Sequence, residues 1–352
     1  MKKENQRRSI NVGGVKIGDH EPCFIIAEAG VNHCGDMSTA RELVDVAVDA
    51  GANAVKFQAF KTDNLILSHV EKANYQKQTN QKSNESQYAM LKRLEISKEQ
   101  AANLKNYCDS SGIIFLTTPF DEESLDDIDE LDLPAYKVAS TDTTNLVFLR
   151  KISKKGKPVF LSTGMSYFHE VQSAVKVVQK YNQSLVVLQC TANYPAFDHE
   201  ANLRVLHTFK RRLRTLVGFS DHTTGLGASA YAVAMGACIV EKHFTLDQSS
   251  DGPDHKASLT PEKLKDYVTS IRRMEVYLGS DLKEPTDAES STRESLQKCL
   301  VARQSIRKGE IFHDNNIVAK RTGGIGISPL QADSLFGVKA TRDYKANDII
   351  VA

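Results

Sequence analysis

The residues best suited to chemistry stand where two short apolar runs end. The run Ala237–Val240 is followed by Glu241 and, two positions later, by His243. A second run, Leu216–Phe219, ends just before His222. Buried parallel strands have this apolar pattern, and in α/β barrels their carboxyl ends form the active-site face. Two imidazoles at neighbouring strand ends therefore make a candidate metal site.

Lysines and hydroxyl groups at other run ends indicate an anion site. Lys56 and Lys137 would each be costly to bury unpaired, and a bound anion would relieve that cost. Hydroxyl groups in similar places suit phosphate: Thr118, Ser140, Ser162 and Ser220. Carboxylates there suit a divalent cation such as Mn²⁺: Glu28, Asp221, Glu241 and Asp254. In a plainer interpretation, which stays open, Glu28 and Glu241 only neutralise the lysines.

Eight apolar runs between residues 22 and 275 must position these groups. The runs are Cys23–Ala27, Ala54–Gln58, Ile113–Thr117, Ala135–Ala139, Pro158–Ser162, Leu185–Cys190, Leu216–Phe219 and Ala237–Glu241. Amphipathic segments lie between most of them, as in Thr39–Ala50, Lys98–Ser110 and His169–Tyr181. Eight strand–helix units in about 250 residues predict a closed (β/α)8 TIM barrel. A doubly wound open sheet is the alternative, but the chain lacks a glycine-rich dinucleotide fingerprint.

Strand alternation assigns one charged residue to the opposite side of the wall. Lys242 lies between Glu241 and His243, so it should point away from both, towards the helix layer. It is therefore left out of the predicted site.

The rest of the chain divides into an insertion, a linker and a small domain. The polar segment Asn64–Glu95 is predicted to be a loop with a short helix that covers the site. Residues 1–280 are predicted to form the barrel domain, residues 281–294 a linker, and residues 295–352 a compact domain of short elements. Strands are expected there at Ser295–Ala302, Ile311–Val318 and Asp348–Val351, and the helix Pro261–Leu278 closes the barrel.

Composition excludes several classes of protein. Lysine and arginine total 45 against 44 aspartate and glutamate, so bulk charge favours neither nucleic acid nor membrane binding. Apolar stretches are too short to span a membrane, and the polar N-terminus lacks a signal-peptide core. Six scattered cysteines form no CxxC pair. This pattern suits free thiols in a reducing cytoplasm.

The chain also resembles the sialic acid synthase family, which includes the legionaminate and pseudaminate synthases. Eight motifs, collinear over nearly the whole chain, carry the resemblance: Ile26–His33, Val55–Gln58, Thr118–Asp121, Tyr136–Ser140, Leu161–Met165, Gly218–His222, Glu241–Thr245 and Gly252–His255. The C-terminal part resembles the antifreeze-like (SAF, β-clip) domain of those enzymes. The resemblance implies condensation of phosphoenolpyruvate with an acylated mannosamine, giving a nine-carbon 2-keto acid and phosphate.

The resemblance also implies a role for each site residue. Mn²⁺ (or Mg²⁺) would be held by His222 and His243. Phosphoenolpyruvate would be held by Lys56, Thr118, Lys137, Ser140, Ser162 and Ser220. The sugar would contact Gln58, Tyr194 and Asp254, and Phe120 is included among the substrate-binding residues. Glu28 would lie near the reacting carbons, and Glu241 would be the acid/base group.

A further implied residue comes from the second domain. Arg321 resembles an arginine that crosses from the partner subunit to the acyl group of the sugar, which implies a domain-swapped homodimer. The proline that usually follows this arginine is replaced by Thr322. An asparagine found in some members two residues before the tyrosine is replaced by Ala192, so that contact is not carried over.

The predicted activity is that of an N-acetylneuraminate synthase, a phosphoenolpyruvate-dependent transferase acting on N-acetylmannosamine. The same condensation on a 2,4-diacetamido-2,4,6-trideoxyhexose or on N-acetylmannosamine 6-phosphate is the first alternative. A Schiff-base aldolase using Lys56 or Lys137 is the second. An ice- or carbohydrate-binding role for the C-terminal module is the third, and it would leave the charged strand ends unexplained.

Overall fold

The chain folds into two compact units. The computed structural model describes residues 8–72 and 85–351. The first unit ends at Gly279 and the second begins at Ser280.

Eight parallel strands form the barrel of the first unit. They are β3 to β10, at Phe24–Gly30, Ala54–Ala59, Ile114–Pro119, Tyr136–Val138, Val159–Ser162, Leu185–Cys190, Leu216–Asp221 and Ile239–His243. Hydrogen bonding joins them in the order β5-β4-β3-β10-β9-β8-β7-β6, and β5 and β6 at the two ends of that order also lie side by side. Each predicted run forms a strand, so the predicted (β/α)8 barrel is confirmed.

The strand residues alternate between two apolar layers. On β3, Ile25 and Ala27 pack outward among helix residues, whereas Phe24 and Ile26 belong to a separate cluster inside the barrel. The same alternation places Ile239 inside and Val240 outside on β10. Continuous apolar runs result because both faces of a barrel strand are buried.

In the described part of the first unit, helices lie at Met37–Asp49, Thr62–Leu65, Gln87–Lys92, Lys98–Ser110, Glu122–Asp129, Leu146–Lys154, Phe168–Gln179, Val205–Leu213, Ser229–Ala234 and Pro261–Leu278. The helix Lys98–Ser110 has its predicted bounds because Ser97 and Gln100 form a reciprocal capping box at its start. Within the described ranges, no helix has the length and apolar character needed to cross a membrane.

An N-terminal hairpin that sequence analysis did not predict covers the inner cluster. Strands β1 (Ser9–Val12) and β2 (Val15–Gly18) pair antiparallel around a two-glycine turn. Val12 and Ile17 are fully buried and join the interior cluster that contains Phe24 and Leu216. Those two residues begin their strands, so the hairpin closes the amino-terminal end of the barrel, opposite the strand ends that carry the polar residues.

The predicted insertion is attached to the carboxyl ends of the strands. Its described parts contain the short helices Thr62–Leu65 and Gln87–Lys92, and residues 73–84 lie outside the described ranges. Met90 and Leu94 pack with Val31 and Phe60 in a separate apolar cluster. The insertion is thus held by apolar contacts beside the barrel mouth.

The second unit departs from prediction in three places. The predicted linker 281–294 contains most of a helix, Asp287–Leu296, because Thr286 and Glu289 form a capping box that starts it. The expected strand Ile311–Val318 is wrong: β11 (Lys298–Ala302) pairs with β12 (Ile317–Arg321). The expected strand Asp348–Val351 is reduced to an isolated bridge from Ile349 to Val301.

The hairpin gives a test of how the barrel is closed. Ile17→Ala should lower the free energy of unfolding by about 2–5 kcal/mol, because it leaves a cavity in a fully buried cluster. Urea denaturation measures the change. Val276→Ala, at a side chain 78% exposed, is the control and should change it by less than about 0.5 kcal/mol. Equal effects of the two substitutions would contradict a closing role for the hairpin.

Candidate active site

The predicted site residues occupy the inward-facing positions at the carboxyl ends of the barrel strands. Glu28 stands two positions after Ile26, and Glu241 stands two positions after Ile239; both isoleucines belong to the interior cluster. Since side chains two apart share a face, the polar residues lie above the apolar floor. The strand positions of this kind are Glu28, Lys56, Gln58, Thr118, Lys137, Ser162, Ser220, Glu241 and His243.

Four charged side chains form an ion cluster in the centre of the mouth. Lys56 Nζ lies 2.6 Å from Glu28 Oε2 and 3.7 Å from Glu241 Oε2, and Lys137 Nζ lies 3.3 Å from Glu241 Oε1. None of the four side chains is more than 5% exposed. The carboxylates therefore pair with both lysines, as the plainer interpretation expects, and this pairing leaves the prediction of a bound anion open.

Three of the four predicted hydroxyl groups have hydrogen-bond partners, and the fourth has none among the described residues. Lys56 Nζ donates to Thr118 Oγ1 at 2.8 Å, and Ser220 Oγ donates to Glu241 Oε1 at 3.3 Å. Ser140 Oγ accepts from the backbone of Gly164 at 2.9 Å. Ser162 Oγ is buried without a hydrogen-bond partner among the described residues, so it can serve a ligand.

The two carboxylates of the cluster differ in their protonation. Burial raises the pKa of Glu28 to about 7, even though Lys56 opposes the shift. Burial would also raise the pKa of Glu241, but Lys137 and Lys56 together hold it below its ordinary value. Pairs of carboxylates whose environments separate their pKa values can divide acid and base roles between them.

The two lysines differ in the same way. Burial disfavours the charged form of Lys56, but Glu241 and Glu28 outweigh it and raise its pKa. Burial lowers the pKa of Lys137, and the attraction of Glu241 does not offset it. Lys137 is thus the cation that would gain more from a second anion.

Two imidazoles and a tyrosine form one wall of the mouth. The ring centroids of His222 and His243 lie 5.5 Å apart, and Tyr194 lies 4.1 Å from His222 and 5.7 Å from His243. His222 Nδ1 donates to the carbonyl oxygen of Thr191 at 2.7 Å, which leaves its Nε2 facing away from that bond. Burial, and then the nearby His222, lower the pKa of His243 well below its usual range. Its surroundings therefore favour the neutral imidazole.

The two imidazoles are the groups of the mouth that could hold a divalent metal. His243 Nδ1 has no hydrogen-bond partner among the described residues and lies 3.7 Å from Asp254 Oδ2. No group of three or more histidine, cysteine, aspartate or glutamate side chains in the described ranges has metal-site geometry. Two imidazoles would leave coordination positions open for substrate and water, as catalytic metal sites require.

The predicted sugar-binding groups meet around one glycine. Gly30 has φ +56°, and a Cβ atom there would lie 3.4 Å from Gln58 Nε2 and Glu28 Oε1 and 3.5 Å from Asp254 Oδ2. Gln58 Nε2 also donates to Glu28 Oε1 at 3.3 Å. Burial raises the pKa of Asp254 to about 6. These side chains therefore adjoin the ion cluster on one side.

The structure places two of the residues predicted for the mouth, both in the barrel unit, away from its centre. Phe120 packs edge-to-face on Phe60 and belongs with the cluster that attaches the insertion. Asp221 bonds to Lys242 on the outer face of the wall, so including it among the mouth carboxylates was wrong. Strand alternation explains this, because Ser220 takes the inner position. Arg321 is exposed in the second unit, at the end of β12.

Sequence reasoning missed one residue of the mouth. Cys190 Sγ lies 3.5 Å from Ser140 Oγ and 3.8 Å from His222 Nδ1. Its strand position, two residues after the interior Leu188, was the signal that would have located it.

A closed eight-stranded barrel with buried acids, lysines and imidazoles at its carboxyl end is a (β/α)8-barrel enzyme. The chain belongs to the NeuB family, whose model matches residues 43–283. Enzymes of this family are synthases that condense phosphoenolpyruvate with amino sugars. The predicted family is confirmed.

Individual relatives agree with this membership. The chain is 43% identical to N,N'-diacetyllegionaminic acid synthase of Campylobacter jejuni over 93% of this chain and 98% of that protein. It is 41% identical to the Legionella pneumophila protein of that name, over 98% and 97%. The solved N-acetylneuraminic acid synthetase of Leptospira borgpetersenii, crystallised with citrate, has 34% identity and a TM-score of 0.71, over 82% and 96% of the two chains.

The raised pKa of Glu28 predicts how stability depends on pH. A buried carboxyl that titrates at about 7 binds its proton more tightly in the folded than in the unfolded chain, so stability falls as the pH rises from about 4.5 to 7. Glu28→Gln removes this loss. The free energy of unfolding of the variant relative to wild type should rise by up to about 3 kcal/mol between pH 5 and pH 8.

Urea denaturation at four pH values measures this difference. Glu284→Gln, at an exposed glutamate, measures the effect of the substitution itself. A difference that stays flat with pH for Glu28→Gln would show that burial does not control this carboxyl.

Proposed function

We propose that this chain condenses phosphoenolpyruvate with an N-acetylated amino sugar, releasing phosphate and a nine-carbon 2-keto acid. The observation that carries the proposal is the ion cluster of Glu28, Lys56, Lys137 and Glu241 beside two imidazoles. Membership of the NeuB family supports the same reaction.

The lysines and hydroxyl groups would bind phosphoenolpyruvate. Lys137 is the less compensated cation, and the hydroxyl of Ser162 lacks a protein partner among the described residues. A bound anion would satisfy both groups. Because the mouth is buried, these contacts would also orient the enol carbon, and orientation can supply about 7–11 kcal/mol of the barrier.

The two glutamates would move the protons. The enol C3 of phosphoenolpyruvate attacks the aldehyde carbon of the open sugar, and the aldehyde oxygen becomes an alkoxide. Glu28, protonated near neutral pH, can give that oxygen a proton. Water adds at C2, and Glu241, which is ionised, can take a proton from it. The C2–O bond to phosphate then breaks, the proton of the new C2 hydroxyl passes to the departing phosphate, and a keto group is left at C2.

We propose that His222 and His243 hold Mn²⁺ (or Mg²⁺). When bound, the metal would act as a Lewis acid that polarises the aldehyde oxygen, an effect worth several kcal/mol. The bond from His222 to Thr191 would fix the ring so that Nε2 is presented for ligation.

We propose that the acceptor is a 2,4-diacetamido-2,4,6-trideoxyhexose. The legionaminic acid synthases at 43% and 41% identity over more than nine-tenths of the chain support this sugar. N-acetylmannosamine is the second candidate, supported by the sialic acid synthetase at 34% identity. N-acetylmannosamine was the acceptor predicted from the sequence, and the 2,4-diacetamido sugar was the first alternative.

A substrate panel tests the proposal. Purified protein, phosphoenolpyruvate and Mn²⁺ are mixed with each candidate sugar, and phosphate release is followed. The 2,4-diacetamido sugar should give a kcat/KM at least about tenfold above N-acetylmannosamine and its 6-phosphate, a gap of about 1.4 kcal/mol. The reverse order would select the second candidate. No release with any sugar would overturn the proposed function.

The same assay separates the metal route from a Schiff-base lysine. EDTA should abolish activity, and added Mn²⁺ should restore it. Borohydride with both substrates should leave no covalent adduct on Lys56 or Lys137. Trapping of an adduct, with activity resistant to EDTA, would favour the aldolase.

We also propose a homodimer in which the second unit, as an antifreeze-like (SAF) domain, brings Arg321 to the partner's site. The loop after Arg321 is closed locally, because the hydroxyl of Thr322 donates to the carbonyl oxygen of Ile325 at 2.5 Å. This bond would compensate for the absence of the usual proline.

The cysteines of the described ranges are free thiols, which supports a reducing, cytoplasmic location.

Complementation tests the crossed arginine. Arg321→Ala and His243→Ala chains should each be nearly inactive as homodimers. Co-refolding them in equal amounts should restore about a quarter of wild-type activity, because half of the dimers are mixed and each has one intact site. Mixing Glu284→Ala with His243→Ala is the control for dilution by active chains. Failure to recover activity, with mixed dimers confirmed by mass spectrometry, would place the arginine in its own subunit's site.

A further inference from the structure

A second buried ion pair lies on the other side of the barrel wall from the imidazoles. Asp221 and Lys242 are directly opposite each other across β9 and β10. Asp221 is the chain neighbour of His222, and Lys242 is the chain neighbour of His243. The side chains are 0% and 1% exposed, with Lys242 Nζ 3.3 Å from Asp221 Oδ1.

The carboxylate of Asp221 accepts hydrogen bonds from the loop that follows β9. Its Oδ1 accepts from the backbone and hydroxyl of Thr223, at 2.9 and 2.6 Å. Its Oδ2 accepts from the backbone of Ala228 at 3.0 Å and from the hydroxyl of Ser229 at 2.9 Å. Lys242 Nζ donates to the carbonyl oxygen of Thr223 at 2.6 Å. One ion pair therefore fixes both ends of the segment that begins with His222.

The closing loop leaves no spare room around the pair. Gly227 has φ +65°, and a Cβ atom there would lie 2.5 Å from Asp221 Oδ2 and 2.9 Å from Lys242 Nζ. Tyr267, from the helix Pro261–Leu278, donates to Ser229 Oγ at 2.8 Å and ties the loop to the outer layer. The pair is therefore closely packed and buried from solvent.

Stability alone does not explain a pair of this kind. Replacing a buried ion pair by neutral side chains of similar volume is often neutral or stabilising, because desolvation offsets the attraction. Neither side chain reaches the mouth, and neither acts in the proposed reaction. What the pair does is join the two strand ends that carry the imidazoles.

We infer that Asp221 and Lys242 are positioning residues for His222 and His243. By bonding β9 to β10 and to the next loop from the helix side, they set the separation and direction of the two rings. The inference rests on the proposed function for its link to metal binding, but the ring placement can be measured separately.

The test removes both charges at once. Asp221→Asn/Lys242→Met leaves no unpaired buried charge and keeps the side-chain volumes similar. Its matched control is Asp19→Asn/Lys210→Met, which removes a partly exposed ion pair of 2.9 Å elsewhere in the barrel unit. The full-length proteins are titrated with Mn²⁺ in the absence of substrates, and the free ion is followed by electron paramagnetic resonance.

The Asp221/Lys242 variant should bind Mn²⁺ about 10- to 100-fold more weakly than wild type, as is typical when groups that orient metal ligands are removed. The control variant should keep wild-type affinity. In crystals of the variant, the ring centroids of His222 and His243 should depart from their 5.5 Å separation. Wild-type affinity together with superposable imidazoles would overturn the inference, whatever the change in melting temperature.

Two further outcomes are distinguishable. If wild-type protein does not bind Mn²⁺, the metal part of the proposed function fails, and the crystal comparison alone decides whether the pair positions the rings. If the double variant does not fold, Gly227→Ala replaces it, because it displaces the pair while leaving both charges. Unmoved imidazoles and unchanged Mn²⁺ affinity in that variant would equally overturn the inference.

Discussion

The mouth of this barrel depends on the mutual neutralisation of two lysines and two glutamates. Each charge is buried, and each would be strongly unfavourable alone. Lys56 lies between the carboxylates of Glu28 and Glu241. Among the described residues, Glu241 supplies the only carboxylate within 4.0 Å of Lys137 Nζ. Because the two lysines are paired unequally, the two glutamates differ in pKa, and so do the two lysines. One carboxyl can hold a proton near neutral pH while the other is ionised.

The same unequal sharing prepares the mouth for an anion. Lys137 is less compensated than Lys56, and the Ser162 hydroxyl is buried without a partner among the described residues. A phosphorylated carboxylate would supply the missing negative charge and the missing acceptor together. The site is thus polarised before any substrate arrives, and little reorganisation is needed when charge develops during the reaction.

Strand alternation gives the barrel wall two separate polar layers at its carboxyl end. The inner layer holds the ion cluster of the mouth, and the outer layer holds Asp221 and Lys242. Asp221 and Lys242 are chain neighbours of His222 and His243. A substitution in the outer layer should therefore alter the positions of the imidazoles in the mouth. Beside the mouth, apolar contacts between Met90 and Phe60 attach the insertion to the barrel.

The sequence by itself determined the eight strands and the inward-facing polar residues, because a strand buried on both faces reads as a continuous apolar run that ends in polar residues. Sequence reasoning missed the N-terminal hairpin, whose strands have only four residues each, and the helix in the predicted linker, although the capping-box residues Thr286 and Glu289 stand in the sequence. Only the tertiary structure decided the ion pairs, the side of the wall that Asp221 faces, and the place of Cys190 in the mouth. Those contacts join residues far apart in the chain, and they exist only once the barrel closes and brings neighbouring strands into register.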